Sequence, residues 1–246
     1  MRGIVVATCA AALAACGSQA SSSAEADQPA VAAPEPDAPS QASAAPALSS
    51  CPARDPLDEG LRQRTAPIPI PAAMRETMRS DMDNLAFATL DAATVCVDAS
   101  WMESIRDLEL SPDRRFASFG WDGYESYGHV IVDRAGRGQV IDTGTPPVAS
   151  PSGKLLAAAD LSESGFGALN AFAVWRIEPA EIRLLASANE VPEATDWRID
   201  GWAGEACIDL SAVPWDSSAE AGDARERYHA RQDRDWRIEP GRCADA

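Results

Sequence analysis

Leu110-Ser111-Pro112-Asp113-Arg114-Arg115-Phe116 recurs further along the chain as Ser150-Pro151-Ser152-Gly153-Lys154-Leu155, at a spacing of about 40 residues. Downstream the two segments stay in step with one short insertion. Tyr127-Gly128 falls on Phe166-Gly167, Val132-Asp133-Arg134 on Val174-Trp175-Arg176, and Gln139-Val140-Ile141 on Glu181-Ile182-Arg183. Each unit carries three short runs, Arg115 to Gly120, His129 to Asp133 and Gln139 to Thr143, then Lys154 to Asp160, Asn170 to Ile177 and Glu181 to Ala186. All six are apolar or alternating and are bounded by Gly, Pro or Asp, the pattern of antiparallel strands joined by tight turns. The expected fold is therefore mainly β, built from antiparallel sheet repeats over 111–149, 150–190 and 197–240.

The Ser-Pro-Asp turn opening a strand resembles the β-propeller repeats of WD40-like and TolB-type periplasmic proteins. Leu110-Ser111-Pro112-Asp113 is the closest copy. The resemblance implies a partial or small β-propeller, and it departs from the family in three ways. Arg114 stands where the family has glycine, Ser152 replaces the aspartate, and the unit from about Trp197 to Pro240 has no such turn. Three units also fall short of the four blades with which propellers normally close.

Ahead of these units, Met74, Met78, Met82 and Leu85 recur at helical spacing, which predicts a short N-terminal helix from about Pro71 to Asp83 that caps the sheet. Residues 51–246 hold four cysteines, Cys51, Cys96, Cys207 and Cys243. An even count without metal-ligand spacing suits two disulfides in an oxidising compartment. Sequence order and the strand pattern favour Cys51 with Cys96 and Cys207 with Cys243, although spacing alone does not fix the pairing.

The compartment follows from the N-terminus. Met1-Arg2-Gly3 leads into an apolar run from Ile4 to Ala15, broken only by Thr8 and Cys9 and ending Leu13-Ala14-Ala15-Cys16-Gly17. One positive charge, a short apolar stretch and small residues before the cut describe an export signal. Leu13-Ala14-Ala15-Cys16 resembles the lipobox of bacterial lipoproteins, which implies cleavage before Cys16 and lipidation of that cysteine. More than one acyl chain makes such an anchor durable. Gly17 after the cysteine resembles the sorting pattern of outer-membrane lipoproteins. The expected organisation is a signal peptide over 1–15, an Ala/Ser/Pro-rich linker over 16–50 too poor in apolar residues to fold, and one domain over 51–246. That domain is expected to face the periplasm, lipid-anchored in the cell envelope at the outer membrane.

The chain has 38 Asp and Glu against 21 Lys and Arg, a net charge of −17. An acidic surface repels phosphate backbones, so nucleic acid is excluded as the main partner. Only two histidines are present, and no nucleophile elbow, zinc-protease motif, phosphate-binding loop or calcium loop appears. His129, Asp160, Ser162 and Ser164 have no spacing that favours a catalytic triad. No catalytic residue, metal or cofactor is assigned, and the chain is not expected to be an enzyme.

Gly120-Trp121-Asp122-Gly123-Tyr124-Glu125-Ser126-Tyr127-Gly128 concentrates three aromatics between two strands. It is expected to form a loop that either presents Trp121, Tyr124 and Tyr127 to a protein or a saccharide or folds Trp121 and Tyr127 back to close the core, to which the other six tryptophans belong. The function these features favour is a binding module, partnered with the membrane through its Cys16 lipid anchor and with an envelope protein or saccharide. The alternatives are an inhibitor of a secreted hydrolase, similar to lysozyme inhibitors, and a carboxylate-dependent hydrolase. A protruding loop would favour the first alternative and two close carboxylates in a pocket the second.

Overall fold

Four antiparallel meanders follow one another in the computed structural model, which describes residues 45–53, 64–161, 169–188, 191–215 and 225–245. The first comprises β1 (Met78–Ser80), β2 (Asn84–Ala88) and β3 (Thr94–Asp98). The second has β4 (Met102–Leu110), β5 (Phe116–Gly123), β6 (Ser126–Asp133) and β7 (Gln139–Asp142). The third has β8 (Val148–Ala149), β9 (Leu155–Leu161), β10 (Asn170–Ile177) and β11 (Ile182–Ser187), and the fourth β12 (Ala194–Trp202), β13 (Cys207–Pro214), β14 (Glu226–Arg231) and β15 (Ile238–Pro240). Within every sheet the strand order follows the chain order. All of them lie in one unit, Gln41–Ala246. The signal peptide, Cys16 and nearly all of the linker lie outside the described residues, as do Ser162 and Ser164.

The two Ser-Pro turns stand at the same place in the second and third sheets and make the same hydrogen bonds. In the second sheet the Ser111 hydroxyl accepts from Phe116 N at 2.9 Å and Ser111 N donates to Phe116 O at 2.8 Å. In the third, the Ser150 hydroxyl accepts from Leu155 N at 3.2 Å and Ser150 N donates to Leu155 O at 3.0 Å. The fourth sheet turns at the corresponding place with a bend one residue shorter, Ala203-Gly204-Glu205-Ala206, closed by Ala203 N on Cys207 O at 2.8 Å. The first sheet uses an Asx turn, in which Asp81 Oδ1 accepts from Asp83 N and Asn84 N at 2.8 and 2.7 Å. There are thus four units, not three, and two of them turn without Ser-Pro.

That Asx turn also removes the expected helix. Among the described residues only a single 3-10 turn, Ala72–Met74, forms there before β1 begins at Met78. Met74, Met78 and Leu85 are all buried in one cluster, but a turn and two paired strands bring them together. Asp81 binds local backbone donors that a helix would need, the usual way a short polar side chain ends one.

Strand alternation then builds three apolar layers. The first cluster joins the first sheet (Leu85, Phe87, Val97) to the second (Ala117, Phe119, Trp121, Val130, Val132). Another joins the second (Ile131, Ile141) to the third (Ala158, Ala173, Trp175, Ile182). The last joins the third (Leu155, Phe172, Val174) to the fourth (Trp197, Ile208, Leu210, Tyr228). No cluster among the described residues joins the fourth sheet to the first.

The ends of the described chain instead lie against the free faces of the two outer sheets. Ala47 N donates to Thr94 Oγ1 at 3.1 Å, Asn84 Nδ2 to Pro52 O at 3.3 Å, and Cys51 is bonded to Cys96. At the other end Cys243 is bonded to Cys207, and its N–H donates to Asp209 Oδ1 at 2.8 Å. Both disulfides are those favoured by sequence order.

Two arginines tie the sheets together. Arg115 grips the fully buried Asp133 through two hydrogen bonds of 2.9 and 2.7 Å and also donates to Glu178 O of the third sheet. Arg134, 2% exposed, donates to Ala88 O of the first sheet and Arg114 O of the second, both at 2.5 Å.

Candidate functional site, a cleft between the second and third sheets

The face of the second sheet turned to the third carries Phe116, Ser118 and Gly120 on β5, and Tyr127, His129 and Ile131 on β6. Phe116 and Ile131 are large enough to meet the third sheet and join its apolar layer. Ser118 and Gly120 are not, so the sheets part toward the β5–β6 hairpin. A cleft of about 450 Å3 opens there. Its far wall is Thr145-Pro146-Pro147, which leads into β8, together with Leu156 of β9, and its rim carries Arg106, Asp107 and Glu109 of β4. Arg106 lies directly across the strand pair from Gly120, and a Cβ there would stand 3.0 Å from the Arg106 stem, which would have to shift by a few tenths of an ångström.

The polar groups have defined states. Arg106 is paired with Asp122 at 2.5 Å, so its charge is met within the protein, while Asp107 and Glu109 are exposed on the rim. His129 is 9% exposed, and burial, reinforced by the Arg106 charge, lowers its pKa to about 4. It is neutral at physiological pH. Thr143 Oγ1 lies 3.1 Å from His129 O and 2.9 Å from Thr145 O, two groups that only accept, so its one proton goes to a carbonyl. The His129 Nδ1 at 3.0 Å is then the donor to Thr143, which leaves Nε2 as an unprotonated acceptor.

Behind Gly144, a cleft residue at φ +67°, lies the carboxylate of Asp160. Any Cβ at Gly144 would fall 2.1 Å from Asp160 Oδ2. Burial, and then the neighbouring Asp142 carboxylate, push Asp160 above the usual carboxyl range. Asp142 is raised as well by desolvation, which outweighs its hydrogen bond from Gly144 N. These two acids sit beside the cleft and do not line it. No group of three metal-ligating side chains occurs among the described residues.

The three aromatics singled out in the sequence do not act together. Residues 120–128 form a continuation of β5 and β6 around a two-residue turn, with Gly123 paired to Ser126 and Glu125 at φ +52°. Strand alternation therefore sends Trp121 to the opposite face, where it is 3% exposed and packs edge-on to Trp101 at 4.3 Å. It supports the hairpin from within the core and is not available to a ligand. Gly128 makes room for its indole, since a Cβ there would come within 2.5 Å of the ring. Tyr127, 60% exposed, stands at the cleft, and Tyr124, 70% exposed, occupies the turn. Of the other tryptophans, Trp175, Trp197 and Trp236 are buried, whereas Trp101 and Trp215 are 38% and 65% exposed rather than core.

Sequence patterns missed Arg106, Asp107 and Glu109 because β4, with two register breaks and exposed charges, lacks clean alternation. They also missed Pro146-Pro147, although a proline pair after Gly144 is a legible sign of a rigid wall. No known protein-family model matches the chain. Nor does any curated protein sequence resemble it significantly.

Proposed function

We propose that this chain is a non-enzymatic binding module of the bacterial cell envelope, lipid-anchored through Cys16 and held clear of the membrane by its linker. The cleft between the second and third sheets is its recognition site. The observation that carries this is the cleft's composition: an apolar floor of Phe116, Ile131 and Leu156, a proline wall, an exposed Tyr127, and a rim on which Asp107 and Glu109 are acidic. Concave apolar sites with a few placed polar groups are the usual form of a binding site.

Of the two partner classes, the chemistry favours a protein over a saccharide. An inserted apolar side chain would fill the floor, and cationic neighbours on the partner would meet Asp107 and Glu109. A chain of net charge −17 would also steer a basic partner toward itself. Inhibition of a secreted hydrolase is a second use of the same domain, favoured by the exposure of Tyr124 at the hairpin turn.

Crosslinked envelopes of the source cell, with the tagged full-length protein captured and its partners identified, test the proposal. Ser118→Trp, which fills the cleft, and Tyr127→Ala should each lose the principal partner, and recovery of that partner should fall as salt rises. If Tyr124→Ala alone loses it, the hairpin is the contact and the inhibitor function is favoured. Identical partners for all three variants and wild type would refute both. A Cys16→Ser protein should leave the membrane fraction, and its retention there would refute the anchor.

A further inference from the structure

The outer face of the fourth sheet holds a cluster of cations that the cleft does not involve. Ile208, Leu210, Tyr228 and Ala230 point into the layer shared with the third sheet. Alternation therefore turns Asp209, Arg227, His229 and Arg231 to the opposite side. A cavity of about 270 Å3 opens there, lined by His229, Arg231, Arg234, Arg242, Asp233 and Glu239.

Three guanidiniums thus face two carboxylates in a molecule whose net charge is −17. Arg231 Nε donates to Asp233 at 3.1 Å. Arg234 and Arg242 line the cavity with no carboxylate partner among the described residues. His229 is 5% exposed, and its Nδ1 is buried with no hydrogen-bond partner among those residues. Its Nε2 is 3.9 Å from Glu239 Oε2, too far for a hydrogen bond. Buried polar nitrogens are rarely left in this condition, but this one is sealed within the wall, so the donors open to the cavity are the guanidiniums. The backbone around the cavity is held firmly: Gly241, at φ +103°, donates to Arg227 O at 2.9 Å, and Arg242 adjoins the Cys207–Cys243 disulfide.

We propose that this cavity binds a phosphoryl group. Planar guanidiniums arriving from β14, from the turn after it and from the segment after β15 can each offer paired N–H donors to a different edge of a tetrahedral anion. A free phosphate or phosphomonoester and the headgroup of an anionic phospholipid present the same chemistry. The site is independent of the cleft and of whatever the cleft binds.

Calorimetric titration of the full chain with inorganic phosphate, at constant ionic strength and against chloride, tests it. Wild type should give saturable binding that Arg234→Gln/Arg242→Gln weakens at least about tenfold without lowering the melting temperature. Arg183→Gln/Arg198→Gln removes equal charge elsewhere and should leave the affinity unchanged. Absence of saturable binding in wild type, or equal weakening in both double variants, would overturn the site. Sedimentation with phosphatidylglycerol vesicles, compared with phosphatidylcholine, separates the sources. Retention on the anionic vesicles that the Arg234/Arg242 variant loses identifies a headgroup site, and phosphate binding without retention identifies a soluble phosphate.

Discussion

Arg134 is the largest fully buried side chain among the described residues, and it lies between the first and second sheets with the Ala88 and Arg114 carbonyl oxygens as acceptors. Burial lowers its pKa from the usual arginine value. Arg134→Leu would keep most of the volume but leave the Ala88 and Arg114 carbonyls without donors. The expected cost is about 2–4 kcal/mol, read as a shift of the urea midpoint at unchanged slope. His129 makes a pH-dependent contribution of defined sign. Its folded pKa, about 4, lies below the ordinary 6.5, so the unfolded chain takes up the proton first as pH falls. Stability should decline between pH 6.5 and about 4 and then level off, with a total near 3 kcal/mol for this group. In His129→Gln that part of the slope should disappear. Neither residue's role could be read from the sequence, because what decides it is burial between sheets distant along the chain. The exposure of Tyr127 and the pairing of the disulfide cysteines could be, since a position in a hairpin and sequence order leave local marks.

Elements whose turns carry their own chemistry were the legible ones. The six strands expected from residues 115–186 all form, within a few residues of their expected ends. Those of the first sheet did not stand out, because an Asx turn replaces Ser-Pro and a chance spacing of methionines imitates a helix. The Ser-Pro turns also show what the Arg114 substitution does. Arg114 and Gly153 occupy the same position at φ +61° and +68°, a conformation that glycine adopts freely and a side chain does not. Arg114 accepts the strain and reaches Thr77 Oγ1 of the first sheet at 3.2 Å. A Cβ on Gly153 would meet nothing within 4 Å, so Gly153→Ala isolates the backbone term. It should cost about 1 kcal/mol by thermal melting, with no change in the cleft.

At the scale of the whole molecule, successive sheets share apolar layers and the two outer ones each hold one end of the described chain by a disulfide. The disulfides close loops of 45 and 36 residues, each expected to contribute about 3–4 kcal/mol on the loop-entropy estimate. Cys51→Ser/Cys96→Ser should increase hydrogen exchange in β2 and β3 while β9 and β10 remain protected, and Cys207→Ser/Cys243→Ser should do so in β13 and β14. Uniform exchange in either variant would mean that the sheets open as one unit. The candidate site was only half legible for a reason of the same scale. A cleft between neighbouring sheets is assembled from β4, β6 and the entry to β8, and no local pattern records which side chains will face one another.

The straps on the outer faces also bear on assembly. A row of similar sheets, each meeting the next through one face, has no built-in length, and a copy with a bare end could in principle receive the start of another copy. The Cys51–Cys96 and Cys207–Cys243 bridges pin the straps against those two faces, so a reducing environment that released them would bare sheet surface on which a second copy could dock.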